Sequence, residues 1–229
     1  MAGTDPAIAQ MDFDHDGLGI ATERGDVIGA WACFHIPDIL VEVDWMEGHE
    51  MSDEAVAKVV WAFARHGIAL HIDRGEMGGG TNLIHSADDT ITFERRAGYR
   101  NDFGDYFDNH FSQNKRGIFH YALMAHYVTS GGDQVGGVAN GPYPGHFTVA
   151  DGRWSDIETG SVFMHELGHT IGLHSRNFDG IDSHRYSFSQ YPSVMNYNAP
   201  NDYYDYSSGP DSSTNYNDWG HLNLGEYLV

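Results

Sequence analysis

The sequence predicts an α/β (α+β) fold, a twisted mixed sheet with helices followed by a smaller irregular lobe. Three observations point there. A strand, a helix and a second strand succeed one another between Asp38 and Ile72, and a second amphipathic helix centres near residue 165. Beyond Gly172 the chain becomes dense in Ser, Asn, Asp and Tyr with little periodicity. At 229 residues and 41% hydrophobic content the chain can bury a sizeable core. One domain is expected over 1–229, with an N-terminal lobe over 1–173 and a C-terminal lobe over 174–229.

From Asp38 to Met46, Ile39, Val41, Val43 and Trp45 alternate onto one face, which predicts a strand. Ser52 to Arg65 predicts a helix: Ser52 can cap it, Asp53 and Glu54 suit its positive end, and Val56, Val59, Val60 and Phe63 form one apolar stripe. Gly67 ends it. Ile68, Leu70 and Ile72 alternate again, so a right-handed crossover should place the two strands in parallel. Residues 76–113 are mixed, with Gly78 to Gly80 as a loop and Asp102 to Phe111 compatible with a helix. Gly117 to Val128 is apolar enough for a buried strand, in which His120 and His126 read as packed or hydrogen-bonded residues. The Gly- and Pro-containing stretch from Ser130 to Gly145 reads as a surface excursion, and Gly145 to Asp151 as a short strand. Phe163, Leu167 and Ile171 then follow helical spacing and should face the core, leaving His165, Glu166 and His169 on the other side.

The formal charge of -21, from 33 acids against 12 bases, would repel nucleic acid. It suits bound calcium or a surface screened by high salt. No apolar run reaches the ~18 to 20 residues of a membrane span, and Met1 to Gln10 lacks the pattern of a signal peptide. A single cysteine, Cys33, excludes an internal disulfide. It reads as a small buried hydrophobe, and the run Ala32-Cys33-Phe34-His35-Ile36-Pro37-Asp38 loosely resembles a propeptide segment by which some zinc endopeptidases cap their metal with a thiolate. Asp12, Asp14 and Asp16, with Gly17 at the sixth position and Glu23 at the twelfth, match a calcium loop in which Leu18 would offer its backbone carbonyl.

The densest chemical signal is His165-Glu166-Leu167-Gly168-His169. On a helix, residues i and i+4 lie one above the other, so both imidazoles can reach one zinc ion while Glu166 stands beside them as a base. Zinc lowers the pKa of its water to about 7, and a carboxylate can pass the proton onward.

With Gly172 and His174 after this run, and Ser193-Val194-Met195-Asn196-Tyr197 downstream, the chain resembles the metzincin clan of zinc endopeptidases. The resemblance covers roughly residues 115–200. It implies a metal-activated water attacking a peptide bond, Met195 as a floor beneath the ligands, and Tyr197 aimed at the scissile carbonyl. It also implies that Gly145 to Asp151 is the sheet edge on which a polypeptide substrate lies. The clan places its third ligand six residues after the second histidine, where this chain has Ser175, a poor zinc ligand. His174 is the first expectation for the third ligand, with Asp179, Asp182 and His184 as alternatives. A monomeric, extracellular zinc and calcium enzyme is expected, acting on polypeptide, with no nucleic acid or membrane partner. Two other readings stay open: a zinc hydrolase of a small amide or ester, and a binding module that keeps its metals without turnover.

Overall fold

The computed structural model describes residues 37–75, 77–83, 90–93, 102–140, 145–210 and 213–224. The calcium loop of Asp12, Asp14, Asp16, Leu18 and Glu23, and Cys33, lie outside them. The architecture is mixed α/β, of the α+β kind. Among the described residues, nine strands run in chain order as β1 (Asp38–Met46), β2 (Ala69–Asp73), β3 (Asn82–Leu83), β4 (Thr90–Phe93), β5 (His120–Ala125), β6 (Tyr127–Ser130), β7 (Asp133–Val135), β8 (Gly137–Asn140) and β9 (His146–Ala150). The described α-helices are α1 (Asp53–Ala64), α2 (Asp102–His110) and α3 (Asp156–Thr170). None is long and apolar enough to cross a membrane.

The main sheet runs β2-β1-β5-β9-β8, with β3 paired to the far end of β1. β2, β1, β5 and β9 are parallel, and only β8 runs against its neighbour. The β1-α1-β2 crossover and the cap, in which Ala55 N donates to Ser52 Oγ, follow the sequence pattern. A sheet of this kind is covered on both faces, and β5 is buried at every residue. Its Ala122 and Met124 join Val41, Val43, Phe63, Phe147, Phe163 and Leu167 on the side of α1 and α3. Tyr121, Leu123 and Ala125 point the other way, onto Ile91 and Phe93 of the small β4-β6-β7 sheet, Phe103 of α2 and Phe111 just after it.

Between Ser130 and Gly145 the sequence suggests only a surface excursion, whereas the chain there forms β7 and β8. As a result β9, the expected edge, lies inside the sheet between β5 and β8, and β8 ends the strand path. Phe147 and Val149 of β9 point to the α1 and α3 side and Ala150 to the other, so β9 is covered on both faces as well as paired on both edges.

The C-terminal residues hold to α3 by directed bonds rather than by regular structure. Tyr206 donates to the carbonyl of Met164 at 2.6 Å, and Ser161 donates to that of Tyr203 at 2.9 Å. Tyr191 donates to the buried Asp218 carboxylate at 2.7 Å. His66 of the α1 end stacks on Trp219 with ring centroids 3.9 Å apart.

Candidate metal centre

Helix α3 starts with a capping box, in which Ser155 and Glu158 satisfy each other's backbone N–H groups. It carries Phe163, Leu167 and Ile171 into the core, all fully buried. That packing fixes the rotation of the helix, and His165 and His169 fall on the side facing the C-terminal residues. Each imidazole is then oriented by its second nitrogen. His165 Nδ1 donates to the carbonyl of Val194 at 2.9 Å, and His169 Nδ1 donates to that of Leu173 at 2.7 Å. A carbonyl can only accept, so both rings are held with the Nε2 lone pair outward, the arrangement a metal ligand requires.

The two Nε2 atoms are 3.2 Å apart, and Asp182 Oδ1 lies 3.1 Å from the first and 3.2 Å from the second. A tetrahedral zinc site with bonds of about 2.0 to 2.1 Å has ligand–ligand edges of about 3.3 Å. The triangle fits that edge on all three sides. It is one of two groups among the described residues that could hold a metal ion. The donor set, two imidazoles and one carboxylate, is that of open zinc sites with a fourth position for water.

His174, the first expectation for the third ligand, is not among the converging groups. After the helix, Gly172 takes φ +107° and the chain turns at once, with the carbonyl of His174 accepting from Asn177 N at 2.8 Å. The His174 ring stacks beside His169 at 5.8 Å between centroids. Only after this turn does a carboxylate reach back, and Asp182 does so with φ +54°, the left-handed region that a non-glycine residue rarely occupies. Its backbone N–H donates to the carbonyl of Met195 at 3.0 Å, which ties the ligand to the segment beneath the helix. Asp179 pairs with Arg185 at 2.8 Å, and His184 meets Asn198 at 3.0 Å.

Without a cation, two lone pairs and a carboxylate would face one another at van der Waals distance. The protonation states reflect this. Burial opposes charge on His169, but the Asp182 carboxylate and Glu166 outweigh it and raise the imidazole to about 9. Burial would raise Asp182, and the two histidines overcome it and hold the carboxyl well below the usual range. The pocket therefore stabilises positive charge at the point where the three donors converge.

No family model matches this sequence, and no curated protein matches it. Among solved structures, the chain is similar to the crystal structure of metalloproteinase-II from Bacteroides fragilis, with a TM-score of 0.43 and 11% identity over 78% of this chain. The chain spans about half of that protein, 52% of its length.

Around the triangle the structure gathers several further residues. Met195 is fully buried and its sulfur lies against Gly168, where a Cβ would meet it at 2.7 Å. Tyr197 stacks its ring over His165 at 5.9 Å between centroids and stays 53% exposed. Burial and the carboxylates of Asp182 and Glu166 raise its hydroxyl to about 12. Glu166 is 6% exposed, and burial raises its carboxyl despite the two nearby histidines. It lies beneath Gly137 of β8, where a Cβ would come within 2.7 Å of Glu166 Oε1. Gly137 thus lets β8 close over the carboxylate, a role that the sequence alone does not signal.

A cleft of about 590 Å³ is lined by β8 from Gly137 to Asn140, the two histidines, Glu166, His174, Arg176, Asp182 and Tyr197. A second cavity of about 430 Å³ adjoins it through Gly137, His165, Glu166 and Tyr197, and extends past Trp154, Val162 and Pro200.

Proposed function

We propose that this chain is a zinc-dependent endopeptidase of metzincin-like design. The observation that carries the reading is the equilateral triangle of His165 Nε2, His169 Nε2 and Asp182 Oδ1 with the buried Glu166 carboxylate beside it. A zinc ion held there would supply Lewis acidity, polarising a carbonyl and making water acidic near neutral pH.

The protein's own residues do the rest. Glu166 takes a proton from the attacking water and delivers it to the departing amine nitrogen; burial sets its basicity closer to neutral than that of an exposed glutamate. Tyr197 keeps its proton at neutral pH and can donate a hydrogen bond to the oxygen that gains charge in the transition state. An extended polypeptide would lie along β8, with side chains in the two adjoining cavities on either side of His165 and Glu166. Two cavities meeting at the reactive residues suit a chain cut internally better than a small amide or ester. The same reading includes a calcium ion at Asp12, Asp14, Asp16, Leu18 and Glu23, and an extracellular setting.

The test is zinc-reconstituted protein assayed against casein and against small acyl amides and esters. Internal cleavage of casein that stops when zinc is chelated is expected. Turnover of the small substrates with casein untouched would instead favour the small-amide reading.

A further inference from the structure

We infer a second divalent-metal site, formed by His49, His126 and Asp151, at the carboxyl ends of three adjacent parallel strands. β1, β5 and β9 lie side by side, with Trp45 registered to Met124 and Ala125 to Ala150. His126 and Asp151 are the residues immediately after β5 and β9, and His49 follows β1 in a turn closed by its N–H on the Met46 carbonyl at 2.9 Å. The sheet thus brings together three side chains far apart in sequence, at the end of a parallel sheet where ligands commonly bind.

The geometry asks for a cation. His49 Nδ1 is 2.8 Å from Asp151 Oδ2, and His126 Nδ1 is 3.7 Å from Asp151 Oδ1. The two imidazoles thus flank the carboxylate, one beside each oxygen, so that an ion among the three groups could be met by both rings and by the carboxylate. The two rings are 5.0 Å apart at a 38° tilt, and one ligand atom from each residue falls within 4.8 Å of the others. An ordinary His49–Asp151 hydrogen bond would account for Oδ2 alone. Oδ1 is also buried and accepts no hydrogen bond among the described residues, and its distance to His126 is too long for one. A metal drawn between the three groups would satisfy it. Two imidazoles and one carboxylate suit zinc, cobalt or nickel rather than calcium or magnesium, and three protein ligands leave a position for water at the half-exposed His126 edge. The site shares no residue with the His165 group, and its role is to tie together three strand ends.

Metal-stripped full-length protein, dialysed against zinc in the presence of excess calcium, should take up two zinc ions per chain by elemental analysis. His49→Gln with His126→Gln should hold one, and His165→Ala with His169→Ala should also hold one. If only the second site binds metal, wild type holds one zinc that is kept in the His165→Ala, His169→Ala protein and lost in the His49→Gln, His126→Gln protein. That outcome would uphold this site and count against the proposed active site. Should the double glutamine variant lose its fold, His126→Gln alone, titrated with cobalt, should weaken one of two absorbance steps by roughly tenfold or more. Equal zinc content in wild type and the His49→Gln, His126→Gln protein, or a cobalt titration unchanged by His126→Gln, would overturn the inference.

Discussion

His165 and His169 each commit one ring nitrogen to a backbone carbonyl, and Asp182 is held by strained backbone, so the three donors are placed before any metal arrives. Removing a donor should therefore empty the site, whereas removing a neighbour should not. Asp182→Ala is expected to lose bound zinc at stoichiometric concentration, and His174→Ala to keep it, as measured by zinc content after gel filtration. A zinc-free His174→Ala protein beside a zinc-loaded Asp182→Ala protein would reverse the assignment. Part of this site can be read from the sequence. His165, Glu166 and His169 announce themselves because helical geometry links residues four apart. Asp182 does not, because it lies thirteen positions beyond His169, past the end of the helix, and its reach depends on a positive φ that no periodicity encodes. His49, His126 and Asp151 are harder still, since only the register of three parallel strands joins them.

At the scale of elements, the same contrast separates what hydrophobic pattern foretells from what it does not. β1, α1 and β2 follow from alternation and a helical stripe, and Asp102 to His110 forms the helix its sequence allows. β8 gives no such signal: Gly137-Val-Ala-Asn140 is short, half-buried throughout and preceded by glycine. Its importance lies in what it covers. Because a Cβ at Gly137 would collide with Glu166, Gly137→Ala should push the carboxylate aside and lower kcat on casein by roughly 10- to 100-fold while zinc content stays unchanged. Unaltered kcat in that variant would mean that β8 does not set the position of the base.

For the molecule as a whole, the buried histidine of β5 links folding to acid. Burial lowers His120 from 6.5 to about 3, so the unfolded chain binds a proton there before the folded chain does. Its contribution is complete above pH 6.5 and is lost as pH falls toward 3, at about 1.4 kcal/mol per pH unit. Urea midpoints between pH 6.5 and 4 should therefore fall less steeply in His120→Asn than in the parent protein, and parallel slopes would remove His120 as a cause. The metal-free His169, raised to about 9, acts in the opposite sense: its stabilising effect is present below pH 6.5 and is lost as pH rises through 9. Zinc at the site replaces that proton, so zinc-loaded protein should lack the alkaline decline in midpoint that the stripped protein shows. Under the proposed function, the Glu166 carboxylate next to the His165, His169 and Asp182 triangle drives hydrolysis. The most direct test is the rate of casein cleavage by Glu166→Gln, with zinc content read on the same sample. Full zinc content with a rate reduced by about 100- to 10,000-fold is expected, and a zinc-loaded Glu166→Gln protein that cleaves casein at the parent rate would contradict a role for Glu166 as the base.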